Sequence, residues 1–422
     1  MKAKESNTHF DSKVRECSNF TVREIKKICK EIGPRPAGEE NEQKAQDYVE
    51  NLMGGIADTV QRESFDVHPK AFMSWVMIDG IGMIIASVLM ILAHLNVIPQ
   101  ASRVFRVAAI TISVLALILL LAEFLFYKEF IDFLFPKRTS SNVICTRKAA
   151  GETKRRIIFA GHIDSAYEWR FTHLGGGKFL VTMIILGIGS LVLTLIMAVL
   201  SLFIDNGVPA IVMTVVQALT IPAFIAVLFF MNWKVCVMGA NDNLTGVMAS
   251  MAVIKYLNDN NIRFENTEVV AVSTGCEECG LRGAKAFAEA HAKEYAADGT
   301  ETVFMAVDTL HDYDYLGVYN KDMSGLVKLD EKAAKMARKA TEICGLDIPF
   351  ATVSFGSSDA AAGQQGGIKS VALAAMDPTP ARYYHTREDT ADILDMKTIE
   401  TGLKIMLETA FLFDEQGLCD KY

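Results

Sequence analysis

Four apolar runs, at 75–98, 104–126, 179–204 and 208–231, constrain this chain more than any other feature of it. Each is near or above the ~20 residues a helix needs to cross a ~30 Å hydrocarbon layer. A helix buried in a soluble core is usually shorter and keeps a polar stripe; the third and fourth runs keep almost none. The runs pair across tight links, one around 99–103 and one at Asp205-Asn206-Gly207, the latter a strong turn signal. Two transmembrane helical hairpins follow, 71–136 and 179–231. A hairpin returns the chain to the side it left, so the polar segments 1–70, 137–178 and 232–422 share one face of a bilayer. Asp79 and Glu123 sit near the polar end of the first hairpin. They read as interfacial residues reached by water, with a polar entry path toward a site in the polar segments as the alternative.

Lysine and arginine near the helix ends decide the side. The shared side carries Lys70, Lys128, Lys137, Arg138, Arg170, Lys178 and Lys234, and the hairpin tips only Arg103 and Arg106. The bias places the polar mass in the cytoplasm, as a multi-pass integral membrane protein. Eight scattered cysteines form no disulfide framework and suit a reducing compartment. The polar N-terminus has no apolar region of the kind a cleaved signal peptide carries. A net charge of −8 argues against nucleic acid as a partner.

With the hairpins removed, the polar segments read as one discontinuous domain. Thr21 and Glu24 have the spacing of a capping box for a short helix ending near Gly33, and a second helix spans about 40–52. Short β-branched runs at 141–146, 156–160, 267–273, 302–307 and 369–374 alternate with helical stretches at 246–257, 282–296 and Glu331–Ile343. That alternation predicts an α/β fold with a mostly parallel, covered sheet and flanking helices.

Acidic residues and histidines recur just after the predicted strands. The run at 156–160 leads into His162 and Asp164, and Asp242 stands before a predicted helix. The run at 267–273 leads into Glu277 and Glu278, another ends at Asp308, and His385 lies near the C-terminus. Ligands in open α/β sheets collect at the carboxyl ends of strands. Two histidines with several carboxylates there suit a borderline metal ion such as Zn²⁺. Of two adjacent glutamates, one can bind metal while its neighbour serves as a base. Asp164, two residues from His162, can accept from the imidazole and fix its tautomer.

The ordered set GPRPAG at 33–38, HID at 162–164, GANDN at 239–243, GCEECG at 275–280, Asp308, SDAA at 358–361 and HTREDT at 385–390 resembles the M28 family of zinc aminopeptidases. The resemblance covers nearly all the chain outside the hairpins. It implies a metallopeptidase domain with two zinc ions: His162 and Asp308 on one, Glu278 and His385 on the other, Asp242 bridging both. Glu277 would be the general base and Asp164 would orient His162. Tyr383 and Tyr384, beside His385, are candidates for a hydrogen bond to the oxyanion, with packing as the plain alternative. The chain departs from the family in spacing, since 77 residues lie between Asp164 and Asp242 and the second hairpin accounts for most of them. Long additions in surface loops cost little, and the ligand set is complete.

The resemblance implies removal of N-terminal residues from peptides. Because the second hairpin starts just after HID, a site near the membrane plane and membrane-proximal peptide substrates are expected. The alternatives are a related carboxypeptidase, a single-zinc glutaminyl-cyclase-like enzyme, or a catalytically inactive receptor or scaffold. Cys276 and Cys279 read as small residues in a crowded loop, and histidines 9, 68, 94, 173, 291 and 311 as surface or packing residues.

Overall fold

The computed structural model describes residues 2–204 and 206–422. The chain begins with α1 (Phe10–Glu31), α2 (Glu40–Met53), β1 (Thr59–Val67), α3 (Ala71–His94), α4 (Ser102–Leu119), β2 (Arg138–Arg147) and β3 (Arg155–His162). It continues through β4 (Tyr167–Trp169), α5 (Arg170–Leu200), α6 (Gly207–Val227), β5 (Met231–Cys236), α7 (Leu244–Asp259), β6 (Thr267–Thr274) and α8 (Arg282–Ala297). It ends with β7 (Glu301–Leu310), β8 (Leu316–Asp322), β9 (Val327–Lys328), α9 (Glu331–Ile343), β10 (Phe350–Thr352), α10 (Asp359–Gln365), β11 (Lys369–Ala375) and α11 (Met396–Gln416). Two compact units result. The first comprises Met1–Pro69, Lys137–Tyr167 and Val235–Tyr422, the second Lys70–Pro136 and Glu168–Lys234.

The first unit is a mixed α/β fold around a nine-stranded sheet, ordered β1-β2-β6-β3-β7-β11-β8-β10 with β9 beside β8. Its centre is parallel: β3 pairs with β6 and β7, and β7 with β11. The flank β1-β2-β6 is antiparallel, as is β8 against β11. Side chains alternate along each central strand. Ile157, Phe159, Val269, Ala271, Val303 and Met305 face the larger core, shared with α1, α7, α9 and α11. Ile158, Ala160, Val270, Val272, Phe304 and Ala306 face the smaller core, shared with α8 and α10. Burial on both faces explains why these strands read as unbroken apolar runs.

The expected capping box at Thr21 is corrected. Helix α1 runs through that position, and Thr21 Oγ1 bonds back to the Cys17 carbonyl at 3.1 Å. A mid-helix threonine can satisfy its hydroxyl on the preceding turn, so the spacing to Glu24 marked no helix start.

In the second unit four helices are long and apolar enough to cross a membrane: Ala71–His94, Pro99–Leu125, Arg170–Leu200 and Gly207–Val227. The last turn of the Pro99–Leu125 span is a π-helix, Leu120–Leu125. The 31-residue helix α5 is broken at Gly176, whose φ of 70° separates an initial turn from the apolar span. The unit is apolar outside, and its interior mixes apolar clusters such as Met83, Leu191 and Phe224 with small polar residues. Ser87, Thr194 and Gln217 are fully buried, whereas Val104, Ile185 and Leu219 are 64%, 65% and 71% exposed. Thr220 Oγ1 lies 3.4 Å from Ser87 Oγ and 3.3 Å from Thr194 Oγ1. Small and hydroxylated residues between helices with branched aliphatics outward is the pattern of helices packed in lipid. Asp79 and Glu123 are buried in this unit rather than reached by water, and Glu123 Oε1 accepts the Ile131 N–H at 3.0 Å. The turn expected at Asp205-Asn206-Gly207 falls partly on Asp205, outside the described residues.

Candidate metal centre

The first unit brings His162, Asp242, Glu277, Glu278, Asp308 and His385 together. His162 ends β3, between β6 and β7, and Glu277 and Glu278 follow β6. Asp242 precedes α7, whose N-terminus Asn243 caps by accepting the Gly246 N–H at 2.9 Å. Asp308 lies inside β7, two residues before its end. His385 takes a left-handed backbone, φ 51°, in the turn after β11.

Three groups place one ligand atom of each residue within 4.8 Å of the others: His162, Asp242 and Asp308; His162, Glu277 and Glu278; Asp242, Glu278 and His385. Asp242 joins two of them. Its Oδ1 lies 3.2 Å from His162 Nε2 and its Oδ2 3.2 Å from His385 Nε2. His385 Nε2 is also 3.1 Å from Glu278 Oε2, and His162 Nε2 is 3.8 Å from Glu277 Oε2.

A layer of supporting residues holds this set. His162 Nδ1 lies 3.3 Å from the Asp164 carbonyl and 3.5 Å from Asp164 Oδ1, the arrangement that leaves Nε2 for a ligand. The Asp164 carboxylate, fully buried, accepts the N–H groups of Glu277 (3.0 Å) and Glu278 (3.1 Å). Asp389 accepts the N–H groups of Asn241 (2.8 Å) and Asp242 (3.1 Å). Glu42, fully buried in α2, accepts from Cys276 N (2.8 Å), Gly38 N (2.9 Å) and Ser140 Oγ (2.8 Å). Asp359 Oδ2 accepts from Thr274 Oγ1 at 2.6 Å. Tyr383 turns its hydroxyl to Asp312 Oδ2 at 2.9 Å, and Tyr384 stacks on His385 with ring centroids 4.0 Å apart. Cys276 Sγ faces Glu42 Oε1 at 3.2 Å, and Cys279 Sγ the Cys276 carbonyl at 3.3 Å.

Glu42, Asp359 and Asp389 had no assigned role from sequence. Glu42 carried a signal nonetheless. It shares the 3–4 residue spacing of Ala45, Val49 and Met53, which puts a carboxylate on the buried stripe of α2.

So many carboxylates in one buried place oppose one another's ionisation. Burial, then the charge of Asp242, pushes Asp308 up to about 7. Burial pushes Glu277 well above the usual range, with the charges of Glu278, Asp359 and Asp308 adding to it against His162. Burial works against a charged His385, yet Glu278 and Asp242 hold it up to about 10. Glu278 Oε1 is buried and makes no hydrogen bond among the described residues. An orphaned oxygen, an excess of anionic donors and two imidazoles form a donor set that fits divalent cations of the zinc type.

The family model for Peptidase family M28 matches residues 142–410. Solved structures share the fold. An aminopeptidase from Aneurinibacillus sp. strain AM-1 is 15% identical, TM-score 0.55, with 96% of this chain and 95% of that one covered. BSAP, a zinc aminopeptidase from Bacillus subtilis, is 13% identical, TM-score 0.53, covering 93% and 94%. A glutaminyl cyclase from Fimbriiglobus ruber is 14% identical, TM-score 0.53, covering 94% and 95%. No curated protein matches the chain.

Proposed function

The chain belongs to peptidase family M28, and from that premise we propose that it is a membrane-anchored di-zinc aminopeptidase. The observation that carries this reading is Asp242, whose two oxygens each lie 3.2 Å from the Nε2 of a different histidine. A carboxylate set between two imidazoles is suited to bridge two cations. His162 and Asp308 would complete one site, Glu278 and His385 the other. Bound zinc ions would supply Lewis acidity, lowering the pKa of a water and polarising the scissile carbonyl.

The chain's own groups do the rest. Glu277, beside the cluster, takes the proton of the attacking water on a carboxylate oxygen and returns it to the leaving amine nitrogen. Asp164 fixes the main chain of Glu277 and Glu278 and the tautomer of His162. Both tyrosines stay candidates for the oxyanion, Tyr383 with its hydroxyl on Asp312 and Tyr384 with its ring stacked on His385. The carboxylates around the site favour a substrate with a free α-ammonium group, hence cleavage at the N-terminal residue.

The four apolar helices anchor the enzyme in a bilayer, with the segments 1–70, 137–178 and 232–422 as one discontinuous catalytic domain between the hairpins. The apolar exterior of the helical unit supports the anchoring. The lysine and arginine bias supports a cytoplasmic catalytic domain. Because the hairpins interrupt the segments that carry the site, peptides presented at a lipid surface are the expected substrates.

The test is a digest of peptides with free, acetylated and N-terminal glutaminyl ends by the full chain in detergent, with and without chelator. Chelator-sensitive release of N-terminal residues from free peptides alone is expected. Conversion of glutaminyl ends without hydrolysis would establish the cyclase reading instead, and no turnover with bound metal the inactive one.

A further inference from the structure

The site residues come from segments that the second apolar insertion separates. The first unit loses the chain at Tyr167 and regains it at Val235, yet His162 and Asp242 must stay within 3.2 Å of each other. Something must hold the two flanks in register, because loop closure alone leaves them free to slide. Main-chain contacts do part of this: β4 and β5, one on each flank, pair as a two-stranded sheet, Val237 N–H donates to the Ala166 carbonyl at 2.9 Å, and Ser165 N–H donates to the Arg35 carbonyl at 3.0 Å.

Closer to the site, the Arg35 side chain, which is fully buried, adds a further tie. All four of its side-chain hydrogen bonds go to main-chain carbonyls and none to a carboxylate. Nε donates to Ile163 (2.5 Å), Nη1 to Gly33 (3.1 Å) and Met238 (2.8 Å), and Nη2 to Gly239 (2.9 Å). Its own N–H donates to Ser165 Oγ at 2.9 Å. Ile163 lies between His162 and Asp164 on the exit flank, and Met238 and Gly239 lie just before Asp242 on the return flank. The guanidinium thus binds both flanks of the insertion and the 33–35 segment at once.

We propose that Arg35 is a positioning residue: a planar cationic staple that ties the two ends of the membrane insertion together and so sets the spacing of His162 and Asp164 against Asp242. The inference about metal rests on the di-zinc reading; the staple itself does not. A buried charge is costly unless its hydration is replaced, and here four carbonyl dipoles replace it. Arginine suits the task because its donors fan out in a rigid plane toward three separate strands of chain. Lysine concentrates its donors at one point and cannot reach all three. Gly239 makes room for the fork. It has φ 58°, and a Cβ there would lie 3.0 Å from Arg35 Nη2 and 2.7 Å from the Asp242 carbonyl.

Cys236 is a built-in reporter on the return flank: half-buried, unoxidised, and 3.3 Å from Ser165 Oγ. The experiment compares full-length wild type, Arg35→Lys, Arg35→Met and Gly239→Ala in detergent. It reads zinc affinity by competition with a chromogenic chelator, and maleimide labelling of each cysteine by peptide mass spectrometry. Arg147→Lys is the control, since Arg147 also binds a carbonyl, that of Ile262 at 3.1 Å, remote in sequence from the insertion. Both Arg35 variants should bind zinc at least tenfold more weakly and label Cys236 at least tenfold faster, with buried Cys145 unchanged; lysine should not rescue. Gly239→Ala, whose Cβ crowds the Arg35 guanidinium and the Asp242 carbonyl alike, should also label Cys236 faster with Arg35 in place, so the flank can still be read if the Arg35 variants fail to fold. Arg147→Lys should lower thermal stability without either effect. Wild-type zinc affinity and slow Cys236 labelling in Arg35→Lys or in Gly239→Ala would overturn the proposal. Should the wild type itself bind no zinc, the di-zinc reading falls while Cys236 labelling still decides the staple.

Discussion

Asp164 Oδ1 accepts the main-chain N–H of Glu277 at 3.0 Å, so the proposed base is held through its backbone by a carboxylate that also faces His162. Sequence pattern gave Asp164 only the second task. The same carboxylate takes the Glu278 N–H at 3.1 Å, and one side chain therefore registers three site residues. Asp164→Asn turns an amide N–H₂ toward one of those donors and breaks at least one of the bonds. A loss on the order of 10–100-fold in zinc affinity or turnover is expected, the usual cost of disturbing groups that orient metal ligands. Zinc competition and kcat measured on the purified variant check it; wild-type values in both would remove Asp164 from this role.

Glu277 and Asp242 should separate cleanly by substitution. Glu277→Gln keeps the shape and the backbone bonds but removes the proton acceptor. Turnover should fall by at least 10²-fold, the lower range for a general base, with metal content unchanged. Asp242→Ala removes the oxygens that face both histidines, and metal should be lost together with activity. Elemental analysis beside peptide hydrolysis gives both answers. Normal hydrolysis by Glu277→Gln, or two zinc ions retained by Asp242→Ala, would reverse the respective assignment.

Most of the first unit's fold was legible because its signals are local. The strand at 156–160 and the helix at Glu331–Ile343 are written in burial pattern and propensity, and both stand in the structure as β3 and α9. Helix α1 was cut short because Thr21 mimics a cap that only tertiary context rules out. Helix α11, with its long buried face, went unassigned even though its periodicity is present in the sequence. The six clustered residues could be listed from motif order, whereas of their support only the pairing of Asp164 with His162 could. Arg35 binds carbonyls, which carry no residue identity, and Glu42 meets Cys276 from 234 residues away. Such contacts depend on which backbone atoms the fold brings together, and no spacing rule encodes that.

Glu42 links the site to pH. Burial, followed by the charge of Asp164, pushes its carboxyl up to about 7, against about 4.3 in an unfolded chain. Between those values the folded state holds a proton that the unfolded state has released. Stability must then fall as pH rises through that window, by at most about 4 kcal/mol, and level off above it. Thermal unfolding of the metal-free protein from pH 4.5 to 8 should show this decline. Glu42→Gln should flatten it by one proton's share, whatever its effect on the midpoint at any single pH. An unchanged slope would mean that Glu42 is charged throughout.

Beside the site, α7 packs with its main chain directly against β3 and β7. A Cβ on Gly161 would lie 2.5 Å from both Gly246 C and Val247 N, and one on Gly246 would lie 2.0 Å from the Val307 carbonyl. All of these are main-chain atoms, so no side-chain rotation relieves the overlap; strand and helix must part. Overpacking of a core costs about 1–3 kcal/mol, and the upper end is expected where backbone must move. Moving the start of α7 also moves Asn243, which caps the helix and whose Nδ2 binds the Val307 carbonyl at 2.8 Å, and with it Asp242. Gly161→Ala should therefore lower stability by about 3 kcal/mol and weaken zinc binding in the same protein. Gly55→Ala, where a Cβ meets nothing within 4 Å, is the matched control and should change neither. Denaturant unfolding with zinc competition on both variants measures this, and a Gly161→Ala protein as stable and as tightly metal-binding as Gly55→Ala would show that the strand–helix contact yields without disturbing the centre.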